Sequence, residues 1–178
     1  MTTYDTASQE VLDLIQQVME QHHEELSEAG VTVDAMFAYN ENSDHPVKHG
    51  GYPALAYIKV TTLKNRIKGM MDAEITIDGE AYKAMTEAQR TAIIDHELHH
   101  LIVARDKEEN IKLDDANRPK LKIRKHDYQM GWFRAIALRH GVNSPEVFQA
   151  KMLWNADANT FFPKVVAPMQ DASIVQDE

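Results

Sequence analysis

Asp95-His96-Glu97-Leu98-His99-His100-Leu101 is the stretch that decides how this chain is read. It holds His-Glu-x-x-His, two imidazoles four residues apart with a carboxylate beside the first. On a helix His96 and His100 stand about one turn apart, roughly 6 Å along the axis, and lean off the same face, so both can ligate one ion. Zinc takes neutral imidazole nitrogen readily, and a catalytic zinc keeps three protein ligands and one open position. Glu97 falls a step around the helix, beside such an ion instead of on it. There a carboxylate can take a proton from metal-activated water. The spacing therefore implies metal-dependent hydrolysis with Glu97 as general base. His99, adjacent to His100, projects to a different side and is expected to face neighbouring strands or solvent.

The flanking residues favour a helix. Thr86-Glu87-Ala88-Gln89 reads as a capping box, and no Pro or Gly interrupts residues 87–104. With Ala92, Ile93, Leu98, Leu101 and Val103 on its apolar side, one buried helix is expected from Glu87 to Arg105, carrying the motif near its middle. Two His and a Glu in a core are costly without a partner that satisfies them. A third ligand is the missing piece. The chain has nine histidines. His22-His23 lies in a polar helical stretch and is expected to face solvent, and His45 and His49 flank Pro46 in a surface loop. His140 and His126 lie downstream, and His126 is the strongest candidate. Ile111-Lys112-Leu113 and Leu121-Lys122-Ile123-Arg124 alternate apolar and basic residues around the turn-rich Asp114 to Pro119, which predicts a hairpin. His126-Asp127 then opens a helix through Trp132, Phe133, Ile136 and Leu138 that stops at Gly141. Asp127 can cap that helix or hold an imidazole from behind. Tyr128, Arg139 and His140 are candidate stabilisers of a transition-state oxyanion.

Asp95 to Leu101, followed by Leu121-Lys122-Ile123-Arg124-Lys125-His126-Asp127 and Phe133, resembles the putative phage metallopeptidase family of zincin-like proteins. The resemblance runs from about Val31 to Gly141 and includes Ile75-Thr76-Ile77-Asp78 and Thr86-x-x-Gln89-Arg90. It implies a small zincin-like domain with one zinc per chain on His96, His100 and His126, and Glu97 as catalytic base. It also implies that the strand nearest the motif helix, Ala73, Glu74, Ile75, Thr76 and Ile77, pairs with an extended peptide substrate. The setting it implies is the cytoplasm of an infected host.

The 178 residues are 43% hydrophobic and 26% charged, enough to bury a sizeable core. With no cysteine, disulfides and thiolate zinc sites are excluded. No basic leader precedes an apolar run and no stretch is long enough to span a bilayer, so a cytoplasmic location without membrane contact is expected. A net charge of −9 weighs against nucleic acid, despite the basic run Arg118, Lys120, Lys122, Arg124 and Lys125. Alternation there reads as the outward face of a strand. A metal-dependent nuclease is disfavoured further because such sites prefer carboxylate-rich, often two-metal arrangements.

Around the motif, an amphipathic helix is expected from Ala7 to Ala29, strands near Val31 to Tyr39, Ala54 to Thr62 and Asp72 to Asp78, and a last helix opened by Ser144-Pro145-Glu146. Asn40 to Gly51 reads as a loop. This predicts an α+β fold, a mixed sheet of three or more strands packed on the motif helix with helices at both ends of the chain. One domain over residues 1–163 is expected, with Phe161-Phe162-Pro163 packing back on it. Residues 164–178 form a short, mixed tail, acidic at its end from Gln170 to Glu178, expected to be partly disordered. Two functions follow: a zinc-dependent peptidase acting on a protein or peptide, or a non-catalytic, zinc-stabilised module that binds a host protein. Glu97 separates them, since a structural metal has no use for a base.

Overall fold

The computed structural model describes residues 1–41, 45–126 and 132–155. Strand β1 (Thr3–Thr6) leads into helix α1 (Gln9–His22). Val11, Ile15, Val18 and Met19 recur along one face of α1 and all four are buried. The helix expected to reach Ala29 breaks at His23, whose backbone leaves the helical region, and restarts as α2 (Glu24–Glu28). Gly30 then takes a φ of +68°, the left-handed conformation that commonly ends a helix.

Strand β2 (Val33–Tyr39) is followed by a small hairpin, β3 (Lys48–His49) with β4 (Tyr52–Pro53), inside the stretch expected to be loop. Next come β5 (Ala56–Val60), the short helix α3 (Leu63–Ile67) and β6 (Ala73–Asp78). The main sheet has the order β1-β2-β6-β5, with β6 parallel to β2 and the other two pairings antiparallel. The fold is therefore α+β with a mixed four-stranded sheet. Ala73, Ile75 and Ile77 of β6 are wholly buried, and Thr76 on its other face is nearly so. A strand covered on both faces belongs in the middle of a sheet.

That position overturns one expectation. Ala73 to Ile77 offers no edge to a peptide, because Ile75 is paired with Ala35 on one side and Ile58 on the other. The edge strand beside the motif helix is β5. Asp78 caps α4 (Gly79–Ala84) by accepting from the Ala81 amide at 3.0 Å. Gly79 leaves room there for the Tyr39 ring, which would lie 2.2 Å from a Cβ.

Helix α5 (Glu87–Leu98) starts in the expected capping box: Thr86 Oγ1 accepts from the Gln89 amide and Gln89 Oε1 from the Thr86 amide. It ends at Leu98, not Arg105, so the motif sits at the helix C-terminus. Leu101-Ile102-Val103 leaves as β7 (Leu101–Val103), antiparallel to β8 (Leu121–Ile123). β-branched side chains favour this pairing over a further helical turn. The hairpin partner of Leu121 to Ile123 is thus Leu101 to Val103. Residues 111–113 join the stretches that flank the pair, through the bridges Arg105–Ile111 and Leu113–Pro119 and through Lys112, whose amide donates to the Ala104 carbonyl and whose carbonyl accepts from the Lys120 amide, both at 2.8 Å. The turn chemistry of Asp114 to Pro119 holds, with Asp114 Oδ1 accepting from the Ala116 amide and Asn117 at a φ of +57°.

After the described residues resume, α6 (Arg134–His140) starts two residues later than Trp132, and a short 3-10 turn leads to α7 (Pro145–Asn155). Ser144 Oγ accepts from the Val147 amide at the start of α7. α1 and α5 bury Ile15, Val18, Ile94 and Leu98 against Ile75 and Ile77 of the sheet in one hydrophobic cluster. No described helix is long and apolar enough to cross a membrane. Phe161 to Pro163 and the tail from residue 164 lie outside the described residues.

One buried ion cluster ties the long connection to the sheet. Arg66 donates to the Asp72 carboxylate and to the Pro119 carbonyl (2.8 Å), and its other terminal nitrogen lies 2.6 Å from Asp114. Asp72 also accepts from the Thr32 amide and hydroxyl, both at 2.9 Å, and lies 2.7 Å from Arg118. Arg118, the first residue of the basic run, is therefore structural. Arg66→Ala takes the cation from Asp114 and one of two from Asp72, and is expected to lower stability by about 3–5 kcal/mol. A urea-unfolding midpoint close to wild type would contradict this.

Candidate metal centre

Asp95, His96 and Glu97 are consecutive, ionisable and mostly withdrawn from water. Glu146, at the second position of α7, brings its Oε1 to 2.7 Å from His96 Nδ1. Burial opposes ionisation of Glu146, but the His96 contact outweighs it and holds the carboxyl below the usual range. The carboxylate accepts, so Nδ1 carries the hydrogen and Nε2 is the nitrogen His96 can offer to an ion. His100 is settled in the same way. Its Nδ1 donates to the Arg124 carbonyl at 2.7 Å, while the Arg124 amide donates back to the His100 carbonyl at 2.6 Å. His100 Nε2 is left with a lone pair, and burial drives its pKa down to about 4, so the ring is neutral at pH 7. For His96 burial also opposes protonation, but Glu146 and Glu97 raise its pKa.

His126 arrives on the extended segment after β8, not in the first turn of a helix. One ligand atom from each of His96, His100 and His126 lies within 4.8 Å of the others, the one such group among the described residues. His96 Nε2 and His126 Nε2 are 3.2 Å apart. Two imidazole nitrogens at that distance need a proton or a cation between them. Imidazoles sharing a tetrahedral ion at about 2.0–2.1 Å would stand about 3.3–3.4 Å apart, close to what is seen. Phe133, fully buried, backs the cluster, with the rings of His96, His99, His100 and His126 at 4.7–4.9 Å from its own.

Charge supports the same reading. Glu97 is 4% exposed and Glu146 2%. Burial foremost pushes Glu97 up to about 7, and Glu146 Oε2 is buried with no hydrogen-bond partner. Among the described residues, Lys125 is exposed and Arg124 brings a guanidinium nitrogen to 3.0 Å from His99 Nε2. A divalent ion among the three imidazoles would balance both carboxylates. The donor set fits a metal.

A groove of about 800 Å³ opens onto this cluster, with Ala56 and Ile58 of β5 on one side and Ile123 and Trp132 on the other. The Leu55 carbonyl accepts from Asp78 and the Thr61 amide bonds to Asp72, so odd-numbered residues of β5 bond to β6. Antiparallel alternation then turns the amides and carbonyls of Ala56 and Ile58 to the open edge. The Ile58 amide faces the Glu97 carboxylate.

A family model for putative phage metallopeptidases matches residues 3–158. The chain belongs to that family. The match reaches well beyond the Val31 to Gly141 span of the resemblance, and takes in β1, α1 and α7. Comparison with curated proteins and with solved structures returned no match. Membership implies a metal, and the histidine cluster could hold one.

Around this centre several expectations change. His23 does not face solvent: its Nε2 lies 2.8 Å from Asp95 Oδ1 with the side chain 8% exposed. Arg139 and His140 meet the same carboxylate, His140 Nε2 at 2.5 Å, so neither is aimed at the groove as an oxyanion donor. His99 packs on His23 and Phe133, and burial and then Arg124 lower its pKa to about 4. His45 is exposed, whereas exposed His49 lines the groove. Asp127 and Tyr128 lie outside the described residues. Glu146 and Phe133 are the parts that reading the residues missed. Glu146 looked like an ordinary first-turn acid of α7, and only its burial sets it apart.

Asp95 docks α1 and α6 onto α5. Burial opposes its ionisation, yet His23, Arg139 and His140 hold its carboxyl well below the usual carboxylate range. A pKa depressed in the folded state stabilises fully above the unfolded value of about 3.9, and the gain is lost as pH falls below it. Asp95→Asn is expected to cost about 3–5 kcal/mol at pH 7. The gap from wild type in urea unfolding should narrow towards pH 3, and a gap independent of pH would contradict the assignment.

Proposed function

We propose that the chain is a zinc-dependent peptidase in which His96, His100 and His126 hold the ion and Glu97 is the general base. The observation that carries this reading is the convergence of three imidazole nitrogens beside a buried Glu97, at the floor of a groove bordered by a strand edge. Neutral imidazoles suit zinc among the available divalent ions, with nickel, copper and cobalt as chemical competitors. Bound there, zinc would supply Lewis acidity that acidifies water and polarises a peptide carbonyl.

The remaining work falls to the chain. Glu97 takes the proton from the attacking water and delivers it to the leaving amine. Its pKa of about 7 in the absence of an ion suits proton exchange near neutrality. A dication alongside would lower that value and keep the carboxylate ready to accept. Ala56, with its amide and carbonyl, and Ile58, with its carbonyl, present the backbone groups to which an extended peptide could add as a strand, the role first expected of Ala73 to Ile77. Trp132, Ile123 and Leu55 give the groove apolar walls. The substrate is a protein or peptide, and the family's phage connection suggests one met inside an infected bacterium.

Glu97→Gln keeps the size of the side chain and removes the base. In zinc-loaded protein it is expected to retain one zinc and to reduce cleavage of a denatured protein such as casein by about 10²-fold or more. Unchanged cleavage would remove Glu97 from the mechanism. Loss of zinc together with activity would show that it is needed for binding, not as a base alone.

A further inference from the structure

We propose that Glu146 is the positioning residue of the metal centre, holding His96 in ring orientation and charge and making helix α7 part of the site. This rests on the three-histidine reading above. Glu146 Oε1 accepts from His96 Nδ1 at 2.7 Å and from the Phe133 amide at 3.3 Å. The carboxylate that orients the ring is thus pinned by the backbone of the residue whose own ring packs against the imidazoles. Its place in the first turn of α7 is set by Ser144, whose Oγ caps the helix, and by Pro145. The two residues are 50 apart along the chain, so the contact is made by the fold and not by sequence neighbourhood.

The choice of Glu over Gln is informative. A glutamine could make the same contact with His96 and carry no charge into the interior. Glu146 instead buries a carboxylate whose Oε2 has no hydrogen-bond partner. That is costly unless a positive group stands close by. A His96 ring bound to a dication is such a group, because the metal draws charge from the imidazole and strengthens the bond from its Nδ1–H. His100, by contrast, is held by the neutral Arg124 carbonyl. His96 is therefore the ligand given an anionic partner, and the more basic of the two donors.

Carboxylate partners of metal-binding histidines typically raise affinity by about 10–100-fold. The test compares full-length wild type with Glu146→Gln, Glu146→Ala and Ser144→Ala, reading Zn2+ affinity by competition with a chromophoric chelator and the visible spectrum of the Co2+ form. Glu146→Gln should weaken Zn2+ by about 10-fold and Glu146→Ala by up to about 100-fold, with an altered Co2+ spectrum. Ser144→Ala, which loosens the start of α7 but keeps the Glu146 carboxylate, should weaken Zn2+ clearly less than Glu146→Gln does. In a His96→Ala background Glu146→Gln should add little further loss, as residues acting through one another do. Wild-type affinity and spectrum in Glu146→Gln would overturn the proposal. So would an equal loss in Ser144→Ala, which would reduce Glu146 to a packing role. Wild type that binds neither Zn2+ nor Co2+ would overturn this and the three-histidine reading together, whereas tight binding insensitive to Glu146 would overturn this alone.

Discussion

Three consecutive ionisable side chains withdrawn from water at the end of one helix are the constraint on which the rest depends. Asp95, His96 and Glu97 point in different directions around α5, so no single neighbour can satisfy them. Asp95 draws His23 from the end of α1 and Arg139 and His140 from α6. His96 draws Glu146 from α7. Glu97 faces the Ile58 amide on β5. A little further on, His100 is tied in both directions to the Arg124 backbone beyond β8. Each of these side chains would be expensive if left alone. The helices at the two ends of the chain, the sheet edge and the β7–β8 pair are thus assembled around α5 by polar demand as well as by apolar burial.

The same arrangement divides labour between the faces of α5. The Asp95 side is closed by Arg139 and two histidines of the protein itself, which makes it a docking joint. The His96 and Glu97 side holds two buried carboxylates and three converging imidazoles, and it opens onto a groove. One side is internally neutralised and the other is left in need of positive charge. That asymmetry, more than the motif by itself, distinguishes a site from a satisfied core. It also accounts for the early end of α5. Turning the chain into β7 at Leu101 brings β8 alongside and delivers Arg124 and His126 to the ligand side.

Much of this was legible in the residues. The capping box placed the start of α5, the alternation in Asp72 to Asp78 placed β6, and helical spacing placed α1, because in each case local chemistry and the final environment agree. The trio His96, His100 and His126 could be nominated from spacing and the pattern around it. What failed was long-range. Leu121 to Ile123 alternates equally well against residues 111–113 or 101–103, and nothing local decides between them. The edge position went to β5 instead of β6 because strand order is a property of the whole sheet. Glu146, 50 residues from its partner, and His23, 72 from Asp95, looked like ordinary surface residues until burial was known. Phe133 was visible as an apolar helix residue but not as the floor under four imidazoles.

The central claim is that the three histidines hold one ion, and metal content tests it most directly. Untagged wild type and His126→Ala would be purified without chelator and assayed by elemental mass spectrometry, before and after incubation with zinc. The account predicts about one zinc per wild-type chain and a large loss in the variant. Wild-type protein that takes up no metal even with zinc supplied, or a variant that retains a full equivalent, would contradict it.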